Sequence, residues 1–344
     1  MREKVKCLVW DLDNTLWNGI LTENEDVVLM PNVIEIIKEL DARGILQSIS
    51  SKNNHEDAAK KLKEFGLYEY FLYPEINWNA KSNSLGQIIK NLNIGANTFA
   101  FIDDSPFEID EVNSVYGDEI LLLDASKYTD ILDMPDFNPK FITSDSANRR
   151  NMYMQEIVRK KIEDEFVGPN ESFLKDLNMS FLISEAKEKD LERVEELTVR
   201  TNQLNSTGIT YNHTDLLELM DSKDHKVFVC ELTDKFGSYG KIGIALISLN
   251  DTSWCINLLL MSCRVISRGV GTVLLNFIIG QANEANVELL ADFIRTDRNR
   301  MMYLTYKLAG FKEQMEGDPK KLFLESKKIK AYKSPEYLEF IYNK

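Results

Sequence analysis

Residues 8 to 17 read LVWDLDNTLW, and this stretch decides how the first half of the chain folds. Its apolar start is typical of a buried strand, but the run stops at two aspartates, Asp11 and Asp13, which are one residue apart. Asn14 and Thr15 then open a turn. Because residues two positions apart in an extended chain point to the same side, we expect both carboxylates on one side of a strand end.

The same alternation of apolar run and amphipathic stretch continues to about residue 140. The predicted strands are CLVWDLD (7–13), ILQSIS (45–50), FLYPEIN (71–77), TFAFIDD (98–104) and EILLLDAS (119–126). The predicted helices are 31–44, with Pro31 near its start and Gly44 past its end, 56–67 and 81–95. Strands separated by helices favour a parallel sheet, with a ligand site beyond the carboxyl ends of its strands.

The second half has a different pattern, which favours an α+β domain with a central antiparallel sheet. A strand and a helix are predicted over 181–205, and a hairpin over 226–250. The predicted organisation is an α/β domain over 1–140, a helical connector over 141–168, and an α+β domain over 169–344.

Composition and charge exclude several classes of function. The formal net charge of −14 disfavours a nucleic-acid partner, which usually meets a basic face. No apolar run is long enough to span a membrane, and the scattered cysteines are typical of reduced thiols, so we expect a cytoplasmic protein. Local basic clusters are either solvated helix faces or a docking surface for an acidic protein; they are Arg149 and Arg150, RKK at 159–161, and KKIKAYK at 327–333.

Polar residues follow the predicted strands of the first half in a specific order. Each is weak alone, since a lone acidic pair is usually a loop feature and a lone lysine is usually solvated. All of them fall at a strand end or shortly after one, so the fold would bring them to one edge of the sheet. They are Asp11, Asp13, Ser51 with Ser50 as the alternate, Lys81, and the pair Asp103 and Asp104.

This set fits phosphoryl transfer to a carboxylate. Asp11 would act as the nucleophile and form an aspartyl-phosphate, and Asp13 would act as general acid and then general base. Crowded carboxylates repel one another unless a hard cation such as Mg²⁺ neutralises them, and Asp104 would be its ligand. Ser51 and Lys81 would hold the phosphoryl oxygens.

The first half resembles the haloacid dehalogenase-like (HAD) phosphotransferase superfamily. The matching motifs are DLDNT (11–15), ISSKNN (49–54), NWNAKS (77–82) and FIDDSP (101–106). The resemblance implies that Asp104, rather than Asp103, touches the metal together with Asp11, and that the main-chain carbonyl of Asp13 is a further ligand. Asn53 in the second motif is placed with the phosphate-binding residues.

The spacing of these motifs argues against a cap domain. Only 35 residues lie between Thr15 and Ser51, and 29 between Ser51 and Lys81. One helix and one strand use up each interval, so we expect an open site. An open site suits a macromolecular substrate or a lid supplied by the neighbouring domain.

The second half resembles an acyltransferase fold of the GNAT type over WCINLLLMSCRVISRGVGTVLLNFIIGQA (254–282). Gly269 and Gly271 match a glycine loop that cradles the pyrophosphate of coenzyme A, although Ile266 stands where that loop has Arg or Gln. The whole chain then resembles the FkbH-like family, in which a HAD domain without a cap is fused to a GNAT-like domain. The matching stretches include DLDNTLWNG, SKNN, NWNAKS, FIDDSPFE, ANRRNMY, RTNQLN, DKFGSYGKIG and MSCRVISRGV.

The FkbH-like resemblance implies a specific activity with Mg²⁺ as cofactor. The HAD domain would take 1,3-bisphosphoglycerate, or a related acyl phosphate, and remove phosphate. The glyceryl group would then pass through a cysteine thioester to the phosphopantetheine thiol of an acyl carrier protein, in polyketide-type biosynthesis. Two alternatives stay open: a HAD phosphatase whose GNAT-like domain only covers the site, and a docking factor for carrier proteins without catalysis.

The thioester would form on Cys263, with Arg264 stabilising its thiolate, or else Cys263 is an ordinary small apolar residue. Cys7, Cys230 and Cys255 lie in apolar strands and are assigned to the core. The polar residues after the helix of 181–205 are either a helix cap and turn or hydrogen-bond donors for the acyl or pantetheine chain; they are Asn202, Gln203 and Asn205.

Overall fold

The structure is a computed structural model, and it describes residues 4–23, 26–201, 203–315, 317, 319–324 and 334–343. The chain forms two compact units, Met1–Ile157 and Val158–Lys344. The boundary falls inside a helix of residues 149–165, within the segment that the sequence predicts to be a connector. No helix in the described ranges has the length and the apolar character needed to cross a membrane.

The first unit is built on a parallel sheet of five strands in the order β5-β4-β1-β6-β7. The strands of this unit, inside and outside that sheet, are β1 (Cys7–Trp10), β2 (Trp17–Asn18), β3 (Val28–Leu29), β4 (Leu46–Ser51), β5 (Glu75–Ile76), β6 (Phe99–Asp103) and β7 (Leu121–Asp124). Its helices are α1 (Val33–Ala42), α2 (His55–Glu64), α3 (Lys81–Leu92), α4 (Pro106–Tyr116), α5 (Ser144–Ala147) and the first part of α6 (Arg149–Glu165).

Strand β1 lies in the middle of this sheet and is buried on both faces. Leu8 and Trp10 pack into the core on one face, whereas Cys7 and Val9 pack into a second core on the other. This alternation follows from the two-residue period of a strand, and burial on both faces is typical of parallel sheets. The carboxyl end of β1 therefore stands between the ends of β4 and β6, where the sequence places its polar residues.

The predicted parallel sheet without a cap domain is confirmed. Strands β2 and β3 form a small antiparallel pair after β1, and no further domain is inserted within residues 4–23 and 26–157. The strand predicted over 71–77 is shorter than expected, because only Glu75–Ile76 forms a strand beside β4, apart from an isolated bridge between Phe71 and Gln47. Pro74 has no N–H to donate, and Tyr73 has a positive φ of 48°, so the residues before β5 cannot continue a regular ladder.

The second unit contains a sheet of eight strands in the order β13-β14-β12-β11-β10-β9-β8-β15. Its strands are β8 (Met179–Glu185), β9 (His225–Asp234), β10 (Gly237–Leu249), β11 (Ser253–Met261), β12 (Glu288–Phe293), β13 (Lys312–Met315), β14 (Lys320–Leu324) and β15 (Leu338–Asn343). Its helices after α6 are α7 (Asn170–Asp176), α8 (Glu188–Arg200), α9 (His213–Asp221), α10 (Val270–Glu284) and α11 (Arg300–Leu308). The predicted α+β character is confirmed, but the sheet is mixed, since the β11–β12 and β8–β15 pairs are parallel.

Strands β11 and β12 separate from each other after only four residue pairs. Beyond that point segment 204–206 lies in the gap between the two diverging strands and hydrogen-bonds to both sides of it. The N–H of Met261 donates to the carbonyl of Leu204 at 2.9 Å, and the N–H of Ile294 donates to the carbonyl of Ser206 at 3.1 Å. The loop after α8 is therefore an integral part of this sheet.

The basic clusters of the connector are mostly committed to internal contacts. Arg159 is fully buried, with Nε and Nη2 at 2.7 and 2.9 Å from the Asp234 carboxylate and its guanidinium stacked on Tyr239. The Nε of Arg150 lies 2.9 Å from an oxygen of Asp41. Both interpretations of the cluster at 159–161, a solvated face and a docking surface, are therefore wrong for Arg159. The cluster at 327–333 lies outside the described residues.

Candidate active site

Asp11 and Lys81 form a buried ion pair at the carboxyl edge of the first unit's sheet. The Nζ of Lys81 lies 2.5 Å from Oδ1 of Asp11 and 3.0 Å from Oδ2 of Asp103, and it donates to the carbonyl of Ser50 at 2.7 Å. The side chain of Lys81 is only 3% exposed. A lysine at the first position of a helix works against the helix dipole, so α3 begins with a charge that local helix stability does not favour. The three partners hold that ammonium group in place.

Three carboxylates meet beside this lysine and can bind a metal ion. One oxygen from each of Asp11, Asp103 and Asp104 lies within 4.8 Å of the others. Three carboxylates and one ammonium group leave two excess negative charges, and oxygen donors are the ligands that Mg²⁺ prefers. The residues therefore fit a hard divalent cation. Asp104 is exposed to solvent whereas Asp103 is buried against Lys81 and the N–H of Ser105.

Asp13 is oriented by a separate set of hydrogen bonds. Its Oδ1 accepts from the indole Nε1 of Trp17 at 2.7 Å and from the N–H of Leu21 at 3.1 Å, while its Oδ2 accepts from Nδ2 of Asn53 at 2.9 Å. The carboxylate is thus held by the β2 turn and by the loop after β4. It is not part of the carboxylate group around Lys81, and its main-chain carbonyl is the atom that the sequence predicts to bind the cation.

The turn after β1 bends back because Asn14 adopts a positive φ of 52°, which asparagine tolerates better than most residues. Its side-chain Oδ1 accepts from the N–H of Gly19 at 3.1 Å. This turn brings Trp17 over Asp13. No role was predicted for Trp17 from the sequence, although an indole four residues after a predicted acid is a signal that could have indicated one.

Several buried polar atoms around the site have no hydrogen-bond partner among the described residues. They are Thr15 Oγ1, Ser50 Oγ and Asn53 Oδ1. Unpaired buried polar atoms are rare in folded proteins, and a bound ligand is one way of satisfying them. Ser50 is completely buried and Ser51, the last residue of β4, is 3% exposed. The phosphate-binding roles of Ser51 and Asn53 remain predictions.

Burial raises the pKa of each carboxyl group in this cluster. For Asp11 the pKa rises to about 6, because desolvation and the nearby Asp103 together outweigh the attraction of Lys81. Desolvation also raises the pKa of Asp103 and of Asp104. Burial alone would lower the pKa of Lys81, but Asp11 and Asp103 raise it above its usual value. Without a cation the cluster therefore holds a proton more readily than isolated carboxylates do.

Comparisons with known proteins agree with this site. Residues 15–112 match the family model described as haloacid dehalogenase-like hydrolase. The chain is 27% identical over 129 residues to human magnesium-dependent phosphatase 1, a match that covers 32% of this chain and 73% of the relative. The N-terminal unit is a haloacid dehalogenase-like domain. Its motifs are the ones whose side chains the structure brings together.

Two solved structures each match about two fifths of the chain. The N-terminal part of a Bacteroides fragilis protein, containing a phosphatase domain complexed with Mg, is 26% identical, with a TM-score of 0.35. That match covers 40% of this chain and 40% of that chain, so this chain spans only two fifths of the solved chain's length. The ribosomal-protein-S18-alanine N-acetyltransferase of Escherichia coli is 15% identical with a TM-score of 0.33, and the match covers 42% of this chain and 90% of that chain.

The raised pKa values of the HAD-like domain predict a pH-dependent response to Mg²⁺. A carboxyl whose folded pKa lies above its unfolded value stabilises the fold below the unfolded pKa, and this contribution is lost as the pH rises through the folded pKa. For Asp11 that window runs from 3.8 to about 6. Since Mg²⁺ binds the charged carboxylates, it should raise the melting temperature more at about pH 7.5 than at about pH 5. Thermal unfolding with and without Mg²⁺ at constant ionic strength measures this difference.

The exposed Asp110→Asn variant on α4 should keep the full response to Mg²⁺. An equal rise in melting temperature at both pH values would contradict the assignment of the cation site to these carboxylates.

In the second unit, Cys263 opens a short 3₁₀ turn, Cys263–Arg268, and is exposed to solvent. The guanidinium group of Arg264 donates to the carbonyl of Tyr239 in β10 at 3.0 Å, which attaches this turn to the sheet. The assignment of Cys7, Cys230 and Cys255 to the core is confirmed, since all three are buried. Burial raises the pKa of the Cys255 thiol to about 11.

Gly269 and Gly271 line one small cavity at the start of α10. The cavity has a volume of about 100 Å³ and is otherwise mostly apolar, with Leu259, Met261 and Val265 in its wall. Gly269 has a positive φ of 74°, and a Cβ there would lie 2.7 Å from the hydroxyl of Tyr337, so the loop needs glycine at this position.

The polar residues after α8 do not line this cavity in the described part of the chain. Asn202 lies outside the described residues, and Gln203 is exposed. Oδ1 of Asn205 accepts from the N–H groups of Thr207 and Gly208 at 3.1 and 2.7 Å. These bonds support the turn alternative for Asn205. Its Nδ2 is buried without a hydrogen-bond partner.

Proposed function

We propose that the HAD-like domain is a Mg²⁺-dependent phosphatase that uses Asp11 as its nucleophile. The observation that carries this proposal is the arrangement around Lys81, in which one ammonium group contacts both Asp11 and Asp103 beside a third carboxylate. A buried lysine and three carboxylates cost stability in a protein that does not use them. A metal-binding phosphoryl-transfer site gives each of them a role.

In the first step, a carboxylate oxygen of Asp11 attacks phosphorus, and the bond from phosphorus to the leaving oxygen breaks. Asp13 gives its proton to that leaving oxygen. A carboxyl group has about four lone-pair positions, and three of those on Asp13 accept hydrogen bonds from Trp17, Leu21 and Asn53. The fourth position can carry this proton. Lys81 neutralises charge on the phosphoryl oxygens as they become more negative.

In the second step, Asp13 takes a proton from water, and the water oxygen attacks the phosphorus of the aspartyl-phosphate. The bond between phosphorus and Asp11 breaks, which releases phosphate and restores both carboxyl groups. Asp11, Asp103 and Asp104 would hold Mg²⁺, whose positive charge would offset that of the carboxylates and of the phosphoryl group.

The finer proposal is that the phosphorylated substrate is 1,3-bisphosphoglycerate and that the glyceryl group reaches an acyl carrier protein through Cys263. The resemblance of the whole chain to the FkbH-like family supports it, and so does the exposure of the Cys263 thiol. The Cys263 thiolate would attack the acyl carbon and displace the acyl phosphate, forming a thioester. The HAD-like site would hydrolyse the remaining phosphate ester with water, so that the group carried by the thioester is glyceryl. The phosphopantetheine thiol of the carrier would then attack that thioester and release Cys263.

Intact mass spectrometry tests both levels of this proposal. After incubation with 1,3-bisphosphoglycerate, Mg²⁺ and a holo carrier protein, we expect free phosphate and a glyceryl mass on the carrier. Cys263→Ala should still release the phosphate that the HAD-like site hydrolyses but should acquire no thioester, since the two reactions use different residues. Ser267→Ala, an exposed change in the same turn, should behave as the unmodified protein does.

Phosphate release without any glyceryl mass on either protein would disprove the transfer step and leave a phosphatase with a non-catalytic second domain. No phosphate release from any phosphate ester would disprove the proposal as a whole.

A further inference from the structure

Helix α4 begins directly after the two aspartates Asp103 and Asp104, and it carries two carboxylates on one side. Glu108 and Glu111 are three residues apart, so their side chains are neighbours along the helix. Neither was assigned a role from the sequence. Each of them reaches across to a different motif of the site.

Glu111 binds the first turn of α3, where Lys81 is located. Its carboxylate accepts from the N–H of Ser82 at 3.0 Å and also from the Ser82 hydroxyl. The hydroxyl of Tyr116, at the end of α4, donates to the carbonyl of Ser82 at 3.1 Å. Ala80 precedes α3 and cannot cap the helix with a side chain, so Glu111 supplies from outside the acceptor that a capping residue would provide.

Glu108 binds the loop after β4. Its Oε1 lies 2.8 Å from Nζ of Lys52, and the side chain of Glu108 is only 13% exposed. Lys52 stands between Ser51 and Asn53, and Nδ2 of Asn53 donates to Oδ2 of Asp13 at 2.9 Å. Glu108 is therefore connected through this loop to the acid/base residue.

We propose that α4 is a clasp, in which Glu108 and Glu111 are positioning residues that keep the loop after β4 and the start of α3 aligned with the cation-binding carboxylates. This inference rests on the proposed phosphatase function. Glu111 sets the position of Lys81, and Glu108 sets the position of Asn53 and Asp13. Neither glutamate touches the substrate.

The physical reason for the clasp is that Lys81 starts its helix against the helix dipole. Glu111 adds a negative charge near the same N-terminus and satisfies the N–H of Ser82. Without it the first turn of α3 would fray, and the ammonium group would move relative to Asp11. A shift of about 1 Å in a catalytic group can lower the rate by roughly 10²-fold.

The first experiment compares Glu111→Ala with Glu111→Gln in the full-length protein with Mg²⁺ and a phosphate ester. Glu111→Ala should lower kcat by about 10- to 100-fold with little change in KM. Glu111→Gln keeps an oxygen acceptor for Ser82 and should recover most of the activity. Asp110→Asn, an exposed acid on the same helix, is the matched control and should have normal kinetics.

The second experiment is a double-mutant cycle on Lys52→Gln and Glu108→Gln. If the two residues act only as a pair, the double variant should be no slower than either single variant. If Lys52 binds the substrate itself, Lys52→Gln should raise KM whereas Glu108→Gln should not, and this outcome would overturn the positioning role of Glu108.

Hydrogen exchange gives a readout that does not depend on activity. In Glu111→Ala the peptides that cover 81–84 should exchange faster than in the unmodified protein, while those that cover 7–10 should not. Unchanged exchange together with unchanged kcat would overturn the clasp while leaving the phosphatase intact. If the unmodified protein released no phosphate, the proposed function itself would be wrong.

Discussion

Asp11→Asn is expected to lower phosphate release by at least about 10³-fold, because an amide oxygen does not replace a carboxylate as nucleophile. The variant should still fold. Asparagine has nearly the same shape, and Lys81 keeps its contacts with Asp103 and with the carbonyl of Ser50. The measurement is kcat for a phosphate ester with Mg²⁺, combined with the melting temperature of the variant.

A trapping experiment shows whether the loss comes from the missing nucleophile. Acid-quenched unmodified protein should carry the mass of one phosphoryl group, and Asp11→Asn should not. Asp110→Asn should be trapped as readily as the unmodified protein. A phosphoryl group on Asp11→Asn would mean that another residue is the nucleophile.

Lys81→Met is expected to impair both the stability and the activity of the HAD-like domain. It removes the ammonium group from between two buried carboxylates, and leaving such charges unpaired costs about 3 kcal/mol of unfolding free energy. The loss of stability should be smaller at low pH, where Asp11 can take up a proton. The pKa of Asp11 is about 6 with Lys81 in place, and it should rise further when the ammonium group that lowers it is removed. Phosphate release should fall by roughly 10²- to 10³-fold.

Urea unfolding at two pH values measures the first effect, and kcat with saturating Mg²⁺ measures the second. Mg²⁺ should restore part of the stability of Lys81→Met, since it also neutralises the carboxylates, but not the rate. Lys90→Met, an exposed change on the same helix, is the matched control. A loss of stability that does not vary with pH would argue against the ion pair as its source.

The parallel sheet and the residues at its edge could be predicted from sequence because the determining signals are local. Strand β1 reads as a buried apolar run, and Asp11 follows it directly. Parallel strands place their carboxyl ends at one edge, so the order of motifs along the chain was enough to group Asp11, Lys81 and Asp103. The spacing of the motifs likewise predicted that no cap domain is inserted.

Helix α4 was missed, although its start has a recognisable signal in Ser105 followed by Pro106 at the first helical position. Its apolar residues do not form a clear stripe, since only Val112 is fully buried. The pattern of the helix therefore shows little of its function. The proposed role of its glutamates depends on distant contacts. Glu108 is 56 residues from Lys52 in sequence, and Glu111 is 29 residues from Ser82.

Pairing between distant charges also explains the error at the connector. Arg159 looked like part of a solvated run because its neighbours Lys160 and Lys161 are indeed exposed. Its partner Asp234 is 75 residues away, at the end of β9, and nothing in the local sequence indicates that ion pair. Asn205 is a contrasting case, because its Oδ1 accepts from the N–H groups of Thr207 and Gly208, two and three residues ahead, and the turn alternative could therefore be predicted locally.

The central position of β1 in its sheet has a consequence while the protein is being synthesised. Its two neighbours, β4 and β6, are synthesised later, and the last of them ends at Asp103. Until residues 99–103 have emerged from the ribosome, β1 keeps one edge without a partner, and such an edge can pair with the wrong strand. Asp11 is translated 92 residues before Asp103, so the site that uses both carboxylates is completed only after the whole segment between them has been made.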